Sequence, residues 1–195
     1  MSIQTEYKNY SVDNKDFKAY LAWDDSVSEA RPGVLVFPEW WGLNDYIQKR
    51  TEQVAELGYL ALGVDMYGEG KTVDNPEEAG SLMNALLEDK QAIKSRVETA
   101  YNVLKEHALS DSDRLGAIGY CFGGALVLNM ARMGMELRAV ASFHGALDSF
   151  FSPSLGDVKA KVLVCHGAAD EFISKEAIEQ FKSEMDNAGA DYEFI

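Results

Sequence analysis

The sequence predicts an α/β domain in which a mostly parallel sheet carries helices on both faces. Three observations lead there. Short apolar runs such as Val34-Leu35-Val36-Phe37 and Val162-Leu163-Val164-Cys165 recur, each the length of a strand buried on both sides. Stretches with apolar residues at helical spacing separate them. Between one such run and the next helical stretch stands Gly119-Tyr120-Cys121-Phe122-Gly123, a glycine-flanked turn suited to a sharp strand-to-helix transition. A chain of 195 residues with 47% hydrophobic content suits one core, so residues 1–195 are expected to form a single domain.

The elements follow in order. Residues 17–23 are an amino-terminal strand, and Pro32-Gly33 introduces the strand at 34–37. A helix is predicted over 44–57 with Ile47, Val54 and Leu57 on its apolar face and Gly58 as its stop. Residues 59–64 are a buried strand and 65–75 a glycine-rich loop. Residues 76–108 are helical with a break near Asp89. Pro76, Glu77 and Glu78 suit the first turn, and Leu82, Leu86, Ile93, Val97, Tyr101 and Leu104 form apolar stripes. Strands are predicted at 114–118, 138–143 and 161–165, helices at 122–133 and 174–188, and the last strand begins at Asp191. Ser174 caps its helix, with Glu176 and Glu179 in the first turns.

Charge and composition exclude several function classes. A net charge of −14 disfavours nucleic acid and anionic membrane surfaces, which demand clustered Lys and Arg. No apolar run approaches the ~18 residues of a membrane span, and the first residues are polar. Two cysteines do not make a disulfide framework, so a reducing, cytoplasmic setting is expected. Gly70-Lys71-Thr72 resembles the end of a phosphate-binding loop, but Asp65 stands where its first glycine is required. No paired Cys or His spacing points to a metal, and no organic cofactor is implied.

Ligands in such sheets bind beyond the carboxyl ends of the strands, where Glu39, Asp65, Cys121, His144 and Asp170 fall. Cys121 is the candidate nucleophile: at a helix N-terminus the dipole favours thiolate over thiol. Cys165 lacks that context and reads as core. Asp170, on the loop after a late strand, suits an acid that orients an imidazole. Of the histidines, His107 reads as a helix C-terminal dipole contact and His166 as a polar strand-end residue, while His144, at the end of the strand that follows the elbow helix, is a candidate substitute base for Cys121.

Four motifs occur in sequence: Phe37-Pro38-Glu39-Trp40-Trp41-Gly42, Asp65-Met66-Tyr67-Gly68, Gly119-Tyr120-Cys121-Phe122-Gly123-Gly124 and His166-Gly167-Ala168-Ala169-Asp170. Together they resemble the dienelactone hydrolase family, an α/β-hydrolase branch with a Cys-Asp-His triad. The resemblance implies the α/β-hydrolase fold and a hydrolase of small esters or lactones working through a thioester without cofactors. It implies Cys121 as nucleophile, Asp170 as triad acid and Glu39 as a carboxylate that contacts the resting cysteine. The backbone N–H groups of Trp40 and Phe122 would form the oxyanion hole.

The resemblance also places a histidine after the strand that begins at Asp191, whereas His107, His144 and His166 all precede Asp170 and the chain ends at Ile195. The expectation is a domain truncated before its histidine loop and terminal helix. Family members that act on acidic dienelactone carry an arginine in the helix after the Asp65 loop, and no arginine lies between Asn75 and Leu87. The substrate is therefore expected among small esters and lactones generally. The alternative is a non-catalytic binding protein of this fold, or an inactive fragment of the enzyme.

Overall fold

The computed structural model describes residues 2–195. The chain divides into two compact units, one ending at Leu115 and one running from Gly116 to Ile195.

The first unit contains β1 (Ile3–Val12), β2 (Lys15–Asp24), β3 (Arg31–Phe37), α1 (Asp45–Glu56), β4 (Leu60–Gly63), α2 (Pro76–Leu87) and α3 (Lys90–Lys105), with strand order β1-β2-β4-β3. β3 and β4 are parallel, whereas β2 meets β4 antiparallel and forms a hairpin with β1. The hairpin turns through Asp13 and Asn14, both left-handed at φ 50 and 62°, which matches a two-residue loop to the twist of its strands. Sequence reading missed β1 because the strand is exposed along most of its length, so no alternating apolar face marks it. The local signal was the Asp13-Asn14 pair ahead of an apolar strand.

Asn44 caps α1 by accepting the Ile47 amide at 3.2 Å, and Ile47, Thr51 and Ala55 form its buried face. The predicted stripe is thus rotated: Val54 is half-buried, and Leu57, the C-cap residue, is 76% exposed. The cause is close approach to the sheet. A Cβ on Gly63 would come within 2.8 Å of Thr51 Oγ1, so small residues, not the largest apolar ones, face β4. The break between α2 and α3 falls at Asp89, whose carboxylate caps α3 at the Ala92 amide. Leu86, Ile93, Val97, Tyr101 and Leu104 are buried as expected, and Leu82 is half-buried. His107 differs from expectation. Its Nδ1 accepts the Leu109 N–H at 3.2 Å and burial pushes its pKa down, so it serves as an acceptor and not as a cation for the helix dipole.

Asp65, fully buried after β4, organises the loop that follows. Its carboxylate accepts N–H groups from Lys18, Tyr67, Gly68 and Gly70 at 3.1, 2.9, 2.8 and 2.7 Å. The Gly70 amide is thereby turned toward an acid, the reverse of a phosphate loop, and Lys71 pairs with Glu78 at 2.9 Å.

β5 (Ser110–Tyr120) leads into the second unit, which adds α4 (Phe122–Arg132), β6 (Ala139–Phe143), β7 (Lys161–Cys165), α5 (Lys175–Ala188) and β8 (Tyr192–Phe194). The order is β5-β6-β7-β8 and every pairing is parallel. Every residue of α4 is buried. Its two strongly polar side chains hold the loop after β6. Asn129 Nδ2 donates to the Asp148 carbonyl at 3.0 Å, and its Oδ1 accepts the Phe150 N–H at 2.8 Å. Arg132 donates to the Leu147 and Asp148 carbonyls at 2.8 and 3.2 Å and pairs with Glu184 at 2.7 Å. α5 begins at the Ser174 cap, buries Phe181, Met185 and Ala188, and stops at left-handed Gly189. Among the described residues no helix is long and apolar enough to cross a membrane.

Two stability predictions follow from these buried polar groups. Arg132→Met strips the Leu147 and Asp148 carbonyls of their donors and Glu184 of its partner, and should lower unfolding free energy by about 3 kcal/mol in a denaturant titration. Asp65→Asn turns two acceptor positions toward N–H donors. It should cost about 2 kcal/mol and open the loop after β4 to limited proteolysis, with the first cuts between Met66 and Thr72.

Candidate active site

β5 ends at Tyr120 and α4 begins at Phe122, so a single residue, Cys121, makes the turn. Its φ of 53° and ψ of −115° lie in a sparsely populated region, a strain on the order of 1–3 kcal/mol for a residue with a side chain. The surrounding contacts hold it there. The Cys121 amide donates to the Phe143 carbonyl at 3.0 Å, and the Cys121 carbonyl accepts from Ala125 at 3.2 Å. A Cβ on Gly119 would overlap the Gly123 carbonyl, and one on Gly124 would come within 2.8 Å of Gly145 Cα. The glycines of the motif therefore answer to close backbone approach. Cys121 remains partly exposed, its sulfur-bearing side chain at the positive end of a buried helix, and Phe122 opens that helix in the first turn, where amides have no intrahelical acceptor.

The other candidates of this unit stand along the same edge. The registers Tyr120↔Phe143 and Phe143↔Cys165 put Cys121, His144 and His166 each one residue past a shared rung. His144 is exposed and left-handed, at φ 43°. His166 packs its ring against Phe194 at 5.6 Å and buries Nδ1 without a hydrogen-bond partner among the described residues. Asp170 lies on the loop after β7, half-buried, with Oδ1 accepting the Phe172 N–H at 2.8 Å. With β6 between β5 and β7, two strand spacings, roughly 9–10 Å, separate the strands that carry Cys121 and lead to Asp170. Cys165 is not core: it is partly exposed at the end of β7, and burial together with Glu193 raises its thiol pKa.

In the first unit, Glu39 and Trp40 follow β3 and both are half-buried. The Trp40 ring meets Trp41 edge-on at 5.0 Å, and its carbonyl accepts the Tyr67 hydroxyl at 2.8 Å. Tyr67 thus ties the segment after β3 to the loop after β4. Arg96, on α3, donates to the Met66 carbonyl at 2.6 Å and lies over the Phe17 ring at 5.3 Å. Asp65, grouped by sequence with the strand-end candidates, has its carboxylate committed to four backbone amides and is structural. Sequence reading missed Tyr67 and Arg96 as supports. Tyr67 stood inside a recognised motif, but nothing local to it indicates a partner at Trp40.

Comparison with known proteins identifies the family. A model of the dienelactone hydrolase family matches residues 17–195. Protein usf of Aquifex pyrophilus is 28% identical over 98% of this chain and 81% of its own length. Among solved structures, m3DLH is 35% identical with a TM-score of 0.90, covering 99% of this chain and 80% of its own. A dienelactone hydrolase-like promiscuous phosphotriesterase from metagenomic libraries is 31% identical with a TM-score of 0.92, covering 100% and 81%. The chain has the α/β-hydrolase fold and belongs to the dienelactone hydrolase family.

Proposed function

We propose that the protein hydrolyses small carboxylic esters or lactones through Cys121. The observation that carries this reading is the strained turn at Cys121, held by backbone contacts at the first turn of a buried helix. A core cysteine needs no such conformation, whereas a nucleophile does: the turn lifts the sulfur off the strand end and sets it at the helix N-terminus.

In the proposed reaction the Cys121 thiolate attacks the substrate carbonyl. The N–H groups of Phe122 and Trp40 hold the oxyanion, and Glu39 contacts the sulfur in the resting state and takes part in its activation. The carbonyl–oxygen bond breaks, the alcohol or opened ring oxygen takes a proton, and a thioester remains on Cys121. Water then cleaves the thioester with an imidazole as base, and Asp170 orients that imidazole. In the family's order this histidine follows Asp170. Neither cysteine is in a disulfide, which fits work in a reducing compartment such as the cytoplasm. α2 carries no arginine, which favours neutral esters over acidic lactones.

Acylation precedes the water-activating step, so it is the step that reports on Cys121 directly. With p-nitrophenyl acetate, stopped-flow absorbance should show a burst of p-nitrophenol of up to one equivalent, and intact-protein mass spectrometry should place the acetyl group on Cys121. Cys121→Ala should reduce the acylation rate by about a thousandfold or more. A burst that survives Cys121→Ala removes the nucleophile. Absence of any burst, with esters still protecting Cys121 from alkylation, would favour a binding protein of this fold. Paraoxon belongs in the same panel because a similar protein is a phosphotriesterase.

In a chain extended through a histidine after Asp170, Asp170→Asn should leave the burst intact and slow turnover, by about a hundredfold or more in kcat. Equal losses in burst and turnover would contradict the role of Asp170 in orienting the base that acts on water.

A further inference from the structure

His144 is a non-glycine residue in the left-handed region, φ 43°, one residue past the last rung of β6. Such a conformation costs free energy and persists only where its surroundings enforce it. Both flanking residues touch the nucleophile elbow. On one side the Phe143 carbonyl accepts the Cys121 amide at 3.0 Å, and the Phe143 ring stacks on Tyr120 with centroids 5.1 Å apart. On the other, Gly145 packs against the elbow helix so closely that a Cβ there would come within 2.7 Å of the Gly124 carbonyl carbon and 2.8 Å of the Ala125 nitrogen. The His144 amide donates to the Cys165 carbonyl at 2.9 Å. His144 is therefore fixed from three directions, and two of the three are the elbow itself. Because Tyr120 and Phe143 are register partners, Cys121 and His144 each follow the last paired residue of adjacent strands, which lie about 5 Å apart in the hydrogen-bonding direction.

We infer that His144 is a further residue of the active site, an imidazole that takes the proton of the Cys121 sulfur and holds the resulting thiolate as an ion pair. The inference rests on the reading of Cys121 as nucleophile. The step is a proton transfer: the S–H bond breaks, an imidazole N–H bond forms, and the electron pair stays on sulfur. It is distinct from the water-activating step that Asp170 serves. The other titratable groups near this edge of the second unit are Cys165 and His166 at the end of β7, Asp170 and Glu171 on the loop beyond it, and Asp148 on the loop after β6. α4, which packs on β6, has no charged residue in its first turn. His144 follows β6, the strand paired with β5, whereas His166 follows β7, one strand further away.

The test is the alkylation of Cys121 by iodoacetamide, followed by peptide mass spectrometry so that Cys165 is counted separately, over roughly pH 5 to 9, where thiols and imidazoles titrate. Asn and Gly accept left-handed backbone, so His144→Asn and His144→Gly remove the imidazole while relaxing the strain. Both should melt no lower than the wild type, yet alkylate at Cys121 about tenfold or more slowly at pH 7, with the rate profile moved to higher pH. His166→Phe should keep the wild-type profile. Wild-type reactivity in His144→Asn overturns the inference, as does an equal slowing in His166→Phe. The alkylation readout needs no ester turnover. Ester hydrolysis that survived Cys121→Ala would defeat the proposed function while leaving the sulfur–imidazole pairing to be judged on its own data.

Discussion

The left-handed turn at Cys121 is the constraint on which the second unit depends. A residue with a side chain does not hold φ 53° by preference. It does so here because the Phe143 carbonyl takes its amide and because the glycines at 119, 123 and 124 let strand, helix and the loop after β6 come into near contact. Moving Cys121 into an ordinary conformation would break the rung to β6 and turn α4 out of its buried position. The strain is thus shared over many contacts, which is how a functional conformation survives in a marginally stable fold.

α4 acts at both of its ends. Its amino-terminal turn carries the candidate nucleophile, while Asn129 and Arg132, about two and three helical turns further on, hold the carbonyls of the loop after β6. That loop begins with His144 and Gly145. One helix therefore fixes the cysteine and the segment beside it, so their relative placement depends on the rigidity of α4 more than on loop sequence. The full burial of α4 and its branched and aromatic packing provide that rigidity.

Much of this was legible in the sequence, and the gaps have physical causes. Apolar runs located β3, β4, β6 and β7, and capping residues located both ends of α1, the α2–α3 break and the start of α5. β1 was invisible because an exposed edge strand has no buried face to encode. The face of α1 was misjudged because Thr51 closely approaches Gly63 and Ala55 packs with Ala22 and Ala61, a closeness that hydrophobicity does not report. At the site, position after a strand singled out Cys121, Glu39 and Asp170 among the candidates, and the family resemblance added Trp40 and Phe122. It did not indicate the Tyr67 hydroxyl on the Trp40 carbonyl, the Arg96 contact at Met66, or the Arg132 clamp. Those are long-range hydrogen bonds to backbone carbonyls, and a carbonyl has the same appearance at every position in a sequence.

Asp65 and Asp170 make the same point for carboxylates. Both follow strands, and position alone gives them equal standing as catalytic acids. A carboxylate has about four acceptor sites. Asp65 fills its sites with four backbone amides in a fully buried turn and keeps no capacity for a moving partner. Asp170 accepts the Phe172 amide on one oxygen and stands half-buried at the rim. One bond is enough to hold its orientation, and the rest of its acceptor capacity is not taken up by the backbone amides that fill Asp65. The difference between a structural and a functional acid at a strand end is therefore a matter of how many donors the chain has already assigned to it. By that criterion Asp170, and not Asp65, is the carboxylate able to orient a base.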